Sequence, residues 1–149
     1  MSLKARIQDD VKNAMRAHER ERLAALRLVT AAIKQKEVDE RIELDDAQVL
    51  QVLDKMVKQR RDSLEQYRGA GRDDLAAQEA FELDLIQAYL PEPLGEDELA
   101  ALIRATIAEV GAGSIRDMGA VMNALREQVQ GRADMKAVST AVRARLNAG

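Results

Sequence analysis

Both prolines of this 149-residue chain stand in one tripeptide, Pro91-Glu92-Pro93, and the sequence on either side of it is patterned for helix. Proline locks φ, lacks a backbone donor and pushes the residue before it out of the helical region, so a helix is not expected to cross this point. The chain is therefore read as an N-terminal four-helix domain over 1–90, a Pro-containing linker over 91–94 and a C-terminal three-helix domain over 95–149. The last of these has about 55 residues, near the lower limit for folding alone.

Apolar residues recur at three- and four-residue spacing in seven stretches. Ser2 is a fair N-cap for a first helix carrying Leu3, Ile7, Val11, Ala14 and Met15 and running to about His18. A second, with Leu23, Leu26, Thr30 and Ile33, ends near Arg41. Asp45 and Gln48 have capping-box spacing ahead of the longest pattern, Val49, Leu53, Met56, Leu64 and Tyr67. Gly69 and Gly71 stop it, and a fourth helix starts at Asp73 or Asp74 with Leu75, Phe81, Leu85, Ile86 and Tyr89. Beyond the prolines come Leu99, Leu102, Ile103, Ile107 and Val110, then a box from Ser114 to Asp117 ahead of Ile115, Met118, Met122, Leu125 and Val129. A seventh helix starts at about Asp134 with Val138, Val142 and Leu146. No stretch alternates as a strand would. With 46% hydrophobic but only 2% aromatic residues, the core has to be Leu, Val, Ile, Met and Ala, a mixture that favours helix packing. The fold class is all-α.

The same composition excludes chemistry. Zero cysteines and one histidine leave no zinc-site constellation and no Cys-His nucleophilic pair, and no metal or cofactor is expected. His18 reads as a cation at a helix end. No apolar run approaches the roughly 18 residues of a membrane span, and residues 1–10 lack an apolar signal core, so a soluble, cytoplasmic protein without a membrane partner is expected. Gly69-Ala70-Gly71 and Gly111-Ala112-Gly113 each precede a helix start, but no Gly-Lys-Ser/Thr follows, and both read as helix punctuation.

A net charge of −3 gives no global attraction to nucleic acid, so any such contact needs a local patch. Arg20, Arg27, Lys34 and Arg41 recur at intervals of seven and form a basic stripe on one helix face, read as solvated. Lys55 to Arg72 carries six cations against two acids, net +4. From Ser114 onward Arg116, Arg126, Arg132, Lys136, Arg143 and Arg145 face three acids, net +3. Within that end, Gly131 to Ser139 is a helix stop followed at once by a helix start, with Arg132 and Lys136 flanking the corner. An exposed corner of this kind suits docking, and no catalytic residue is assigned to it. Scarce aromatics argue against base stacking, leaving RNA shape and backbone as what could be read.

Several ordered blocks carry a resemblance that spans nearly the whole chain. Leu26 to Glu37, Lys58 to Tyr67, Ala70 to Ala76, Ala88 to Pro91, Met118 to Met122 and Gly131 to Asp134 resemble the YqeY proteins. These are similar to the helical tail of the B subunit of the tRNA-dependent amidotransferase, which converts Glu-tRNA(Gln) or Asp-tRNA(Asn) to the amide form. There the tail helps hold tRNA while other domains do the chemistry. The resemblance implies a non-catalytic tRNA-binding or accessory module whose partners are tRNA and the amidotransferase or other translation proteins. It also carries an inherited label, carbon–nitrogen ligase with glutamine as amido-N-donor. That chemistry needs a nucleotide-phosphate site and an activated nucleophile, and neither is legible here. With the local charge, the resemblance nominates Arg116, Met118, Gly119, Arg126, Gly131, Arg132, Lys136 and Arg143 as RNA-binding residues. Met135 stands where the family commonly has glycine, and Glu127-Gln128 where relatives often have Pro-Lys. The competing reading is a protein-interaction helper that uses an apolar groove between the domains and binds no RNA directly.

Overall fold

The computed structural model describes residues 1–148, and among them there are only helices, turns and connecting segments. α1 spans Leu3–Arg16, α2 Arg20–Glu40, α3 Asp46–Gly69, α4 Asp73–Gln87, α5 Glu96–Val110, α6 Met118–Val129 and α7 Met135–Ala148, with a 3-10 turn at Ile115–Asp117 before α6. The chain divides into two compact units, Met1–Leu90 and a second from Pro91 onward.

Caps chosen by the sequence set two of the four helix starts of the first unit. Ser2 Oγ accepts from the Ala5 amide at 3.1 Å, and Asp45 and Gln48 form the reciprocal capping box at 2.9 and 3.0 Å. α4 has no side-chain cap but carries Asp73 and Asp74 in its first turn, where the helix dipole favours them. Asp46 also accepts from the Leu3 amide at 2.9 Å, tying the start of α1 to the start of α3. α3 and α4 share the largest interface, and α1 and α2 pack on them around Ile7, Leu26, Val29, Val49, Leu53 and Ile86, all essentially inaccessible. At about 1.5–3 kcal/mol for each large aliphatic side chain removed from water, such burial dominates the stability of the unit.

Stops differ from the sequence expectation in one instructive way. Gly71 and Gly111 take positive φ, 72° and 73°, as glycine punctuation requires, but so do His18 at 57° and Arg41 at 55°. α1 ends at Arg16, earlier than expected, because His18 is the left-handed residue itself. Its amide donates to the Met15 carbonyl and the Glu19 amide reaches back to Ala14, which closes the helix. His18 is therefore a stop signal in the backbone rather than a helix-end cation alone.

The second unit wraps α5, α6 and α7 around Ile103, Val121, Leu125, Val129, Val138, Val142 and Leu146. α6 and α7 each contribute three of these at four-residue spacing, one row along each helix. Buried Thr106 is satisfied by donating to the Leu102 carbonyl at 2.8 Å. Ile115, expected on the sixth helix, lies instead in the separate 3-10 turn and is 41% exposed. Asp117 bonds the amides of Gly113 and Ser114, and that local closure ends the turn before α6 begins. Phe81 is likewise 40% exposed, because α4 turns Ala76, Glu82 and Ile86 inward and leaves Phe81 off that face. Among the described residues no helix is long and apolar enough to cross a membrane.

Candidate nucleic-acid interface

The nominated residues fall along α6, its two flanking connections and α7. Arg116 sits exposed in the 3-10 turn, which packs on both α6 and α7. Met118 opens α6 and packs half-buried against the core of the unit. Gly119 follows in the first turn of the helix, exposed, and a Cβ built there would meet nothing within 4 Å. Nothing in the fold therefore demands a glycine at this position. Arg126 lies exposed in the last turn of α6, where a cation complements the helix dipole. Eight residues of helix put it about 12 Å from Met118 along the axis, so Arg116 and Arg126 mark opposite ends of α6 rather than one cluster.

The corner between α6 and α7 corrects the expectation of an exposed docking knob. Gly131 does take the left-handed conformation, φ 75°, but it is buried. Arg132 is half-buried and already engaged. Its Nε donates to the Glu92 carbonyl at 3.0 Å, and its own carbonyl accepts from the Leu94 amide at 2.8 Å. Arg132 thus pins the segment that follows the first proline, and Leu94 packs against the apolar cluster of the unit. Sequence reasoning missed this because the partners are forty residues apart.

What remains exposed at the corner is Lys136. Asp134 accepts from the Lys136 amide at 3.2 Å, capping α7, which begins at Met135. Lys136 is therefore at the second helical position with its ammonium in solvent. Arg143, seven residues on, is exposed about 10 Å further along α7 and near the same face. Met135 is half-buried against the core and does not obstruct the corner. Glu127 and Gln128 are exposed, and Gln128 bonds the Ala124 carbonyl at 3.3 Å. Among the described residues, none of Arg116, Arg126, Lys136, Arg143 and Arg145 has a carboxylate within 4.0 Å. The arrangement offers separated, unpaired cations on two helices and a turn, suited to holding anionic groups.

A family model described as Yqey-like protein matches residues 4–146. Altered inheritance of mitochondria protein 41, mitochondrial, from Pyrenophora tritici-repentis is 31% identical over 130 residues, covering 86% of this chain and 71% of the relative. The protein of the same name from Eremothecium gossypii is 38% identical over 109 residues, 71% of this chain and 60% of the relative. The Saccharomyces cerevisiae (strain YJM789) protein is 32% identical over 87 residues, 58% and 47%. The chain spans from about seven tenths to about half the length of these relatives. All three are named as mitochondrial, which overturns the expectation of a cytoplasmic protein. Mitochondrial targeting segments are amphipathic and Arg-rich rather than apolar, so the lack of an apolar signal core does not argue for the cytoplasm. From the near-complete match to the family model, the chain belongs to the YqeY family.

Proposed function

We propose that this protein is a non-catalytic RNA-binding module that holds tRNA through the cations of its second unit, with any bond-making left to a partner such as the amidotransferase or another translation protein. The observation that carries the reading is that Arg116, Arg126, Lys136 and Arg143 are all exposed and all without a carboxylate partner among the described residues. Each cation that meets a phosphate releases condensed counterions, so several separated cations suffice for salt-dependent affinity without reading sequence. Gly119 adds bare helix surface beside Arg116, where a backbone could approach closely. Gly131 and Arg132 belong to this reading as the frame of the corner: Arg132 fixes the chain beside Lys136, whose ammonium makes the contact.

Filter binding of a tRNA transcript to the whole chain tests the proposal. The Lys136→Gln/Arg143→Gln variant should bind more weakly, with a salt slope lower by about 1.5 for two lost phosphate contacts. Wild-type binding that is absent at low salt, or indifferent to both charges, would refute it. Arg132→Ala is a poor substitute, because it also frees residues 92–94.

A further inference from the structure

The basic stripe on α2 is exposed, and part of it also lines a groove. Lys4 and Gln8 on α1 and Arg27, Thr30 and Lys34 on α2 line a groove of about 430 Å³, with Glu37 at one end. A second recess shares Lys4, Lys34 and Glu37 with it and adds Val38, Arg41, Ile42 and Glu43. Two of the four heptad-spaced cations seen in the sequence, Arg27 and Lys34, thus line the groove itself. Glu37 is already committed. It accepts from Lys4 Nζ at 2.7 Å and from the Leu44 amide at 3.0 Å, and these bonds hold its carboxyl below the usual carboxylate range. Arg27 and Lys34 are exposed and have no carboxylate within 4.0 Å among the described residues, although Lys34 is near enough to help hold the Glu37 carboxyl down.

We infer that the groove between α1 and α2 is a second seat for the phosphate backbone of a folded RNA, with Arg27 and Lys34 as its exposed cations. The inference rests on the RNA-binding reading above and extends it to the first unit. Seven residues of helix separate Arg27 from Lys34 by about 10 Å, on a rigid element, so they meet phosphates that are not adjacent along a strand. No aromatic side chain lines the groove, so bases have nothing to stack on. Its apolar lining is limited to Ala31 and buried Ile33, which gives an acidic peptide no pocket for anchoring side chains. A polyanion bound by counterion release needs no such pocket.

The test compares full-length wild type with Arg27→Gln/Lys34→Gln, matched for helicity by circular dichroism, in filter binding of a tRNA transcript between about 50 and 300 mM KCl. The expected result is an affinity about tenfold weaker at 100 mM salt, with a salt slope smaller by about 1.5, and a larger loss for Arg27→Glu/Lys34→Glu. Unchanged affinity and slope in these variants, while Lys136→Gln/Arg143→Gln weakens binding, would overturn the groove and leave the second unit's role standing. Wild type that fails to bind the tRNA at low salt would overturn both. If poly-L-glutamate binds wild type as tightly as tRNA at equal charge concentration and loses the same factor in the variant, the seat is one for acidic protein and the RNA assignment fails.

Discussion

The two units treat charge differently. The first unit uses ion pairs between its own residues: Lys4 with Glu37 and Glu43, Arg22 with Glu19, Arg60 with Glu79 and Glu82, and Arg72 with Asp74. Arg6 stacks over the Tyr89 ring at 5.0 Å, and Tyr89 donates to Asp10, so even the edge of α1 is held by polar contacts to the turn that follows α4. The second unit joins its helices through aliphatic rows and backbone bonds, and the one arginine that it uses internally bonds a carbonyl rather than a carboxylate. Charges used for cohesion are unavailable to a ligand. The second unit therefore leaves its exposed cations without carboxylate partners among the described residues and depends more heavily on a small apolar core.

That dependence gives the largest expected effect. Leu125 is fully buried in a cluster of seven apolar residues, against thirteen in the first unit. Leu125→Ala should cost about 3 kcal/mol, the usual sum of lost transfer energy and residual cavity. With so small a core, hydrogen exchange should show α6 and α7 losing protection while the amides of α3 keep theirs. Equal loss in both units would show that the two cores do not open separately. Arg132→Ala comes next. Loss of a hydrogen bond from a charged donor costs about 1.5 kcal/mol, and freeing residues 92–94 should lower the urea midpoint. If affinity for tRNA falls while the midpoint holds, Arg132 touches the ligand and the contrast between cohesive and free cations is weaker than described.

Much of this was legible in the sequence where the signal is local. The capping boxes at Asp45/Gln48 and Ser114/Asp117 formed as their spacing predicts, and the glycines at 71, 111 and 131 took the conformation that favours glycine. The rows Val121/Leu125/Val129 and Val138/Val142/Leu146 were readable because each faces one core. Phase was harder on α4, where apolar residues cover more than one face and periodicity alone did not show that Glu82 turns inward and Phe81 outward. Contacts between distant positions were invisible. Arg132 with Glu92, Lys4 with Glu37 and Asp10 with Tyr89 are set by packing, and residue type at either end does not specify the partner. The corner is less open than its sequence implies for that reason, whereas the four stripe cations of α2 are exposed as expected, and only the groove beside them, walled by the separate helix α1, is not legible.

Helix stops sharpen the comparison further. Left-handed positions in the second unit are glycine, whereas the first unit uses His18 and Arg41 beside Gly71. A side chain at positive φ is disfavoured by roughly 1–2 kcal/mol, partly offset by the greater freedom of glycine in the unfolded chain. His18→Gly should therefore raise stability by about 0.5–1 kcal/mol in urea unfolding. Gly111→Ala in the second unit should cost about 1 kcal/mol, and the cost would be backbone strain alone because a Cβ there meets nothing within 4 Å. A destabilised His18→Gly protein would mean that the imidazole makes a contribution outweighing its backbone.

The smallest effect probes whether the cohesive charges of the first unit are all favourable. Arg60 Nε lies 2.8 Å from Glu82 and 3.6 Å from Glu79, yet Glu79 Oε2 is buried without a hydrogen bond. Burial raises the Glu79 pKa, Arg60 pulls it down, and neighbouring Glu82 pushes it up. A carboxyl whose folded pKa exceeds its unfolded value binds protons more tightly when folded, so its contribution to stability is present at low pH and lost as pH rises through the shifted value. Glu79→Gln removes that loss while keeping shape. The variant's stability relative to wild type should therefore increase from pH 4 to pH 7, read as the difference between two urea-midpoint profiles. A difference that shrinks over this interval would mean that the ionised carboxylate is the better partner for Arg60, making the whole Arg60 cluster cohesive.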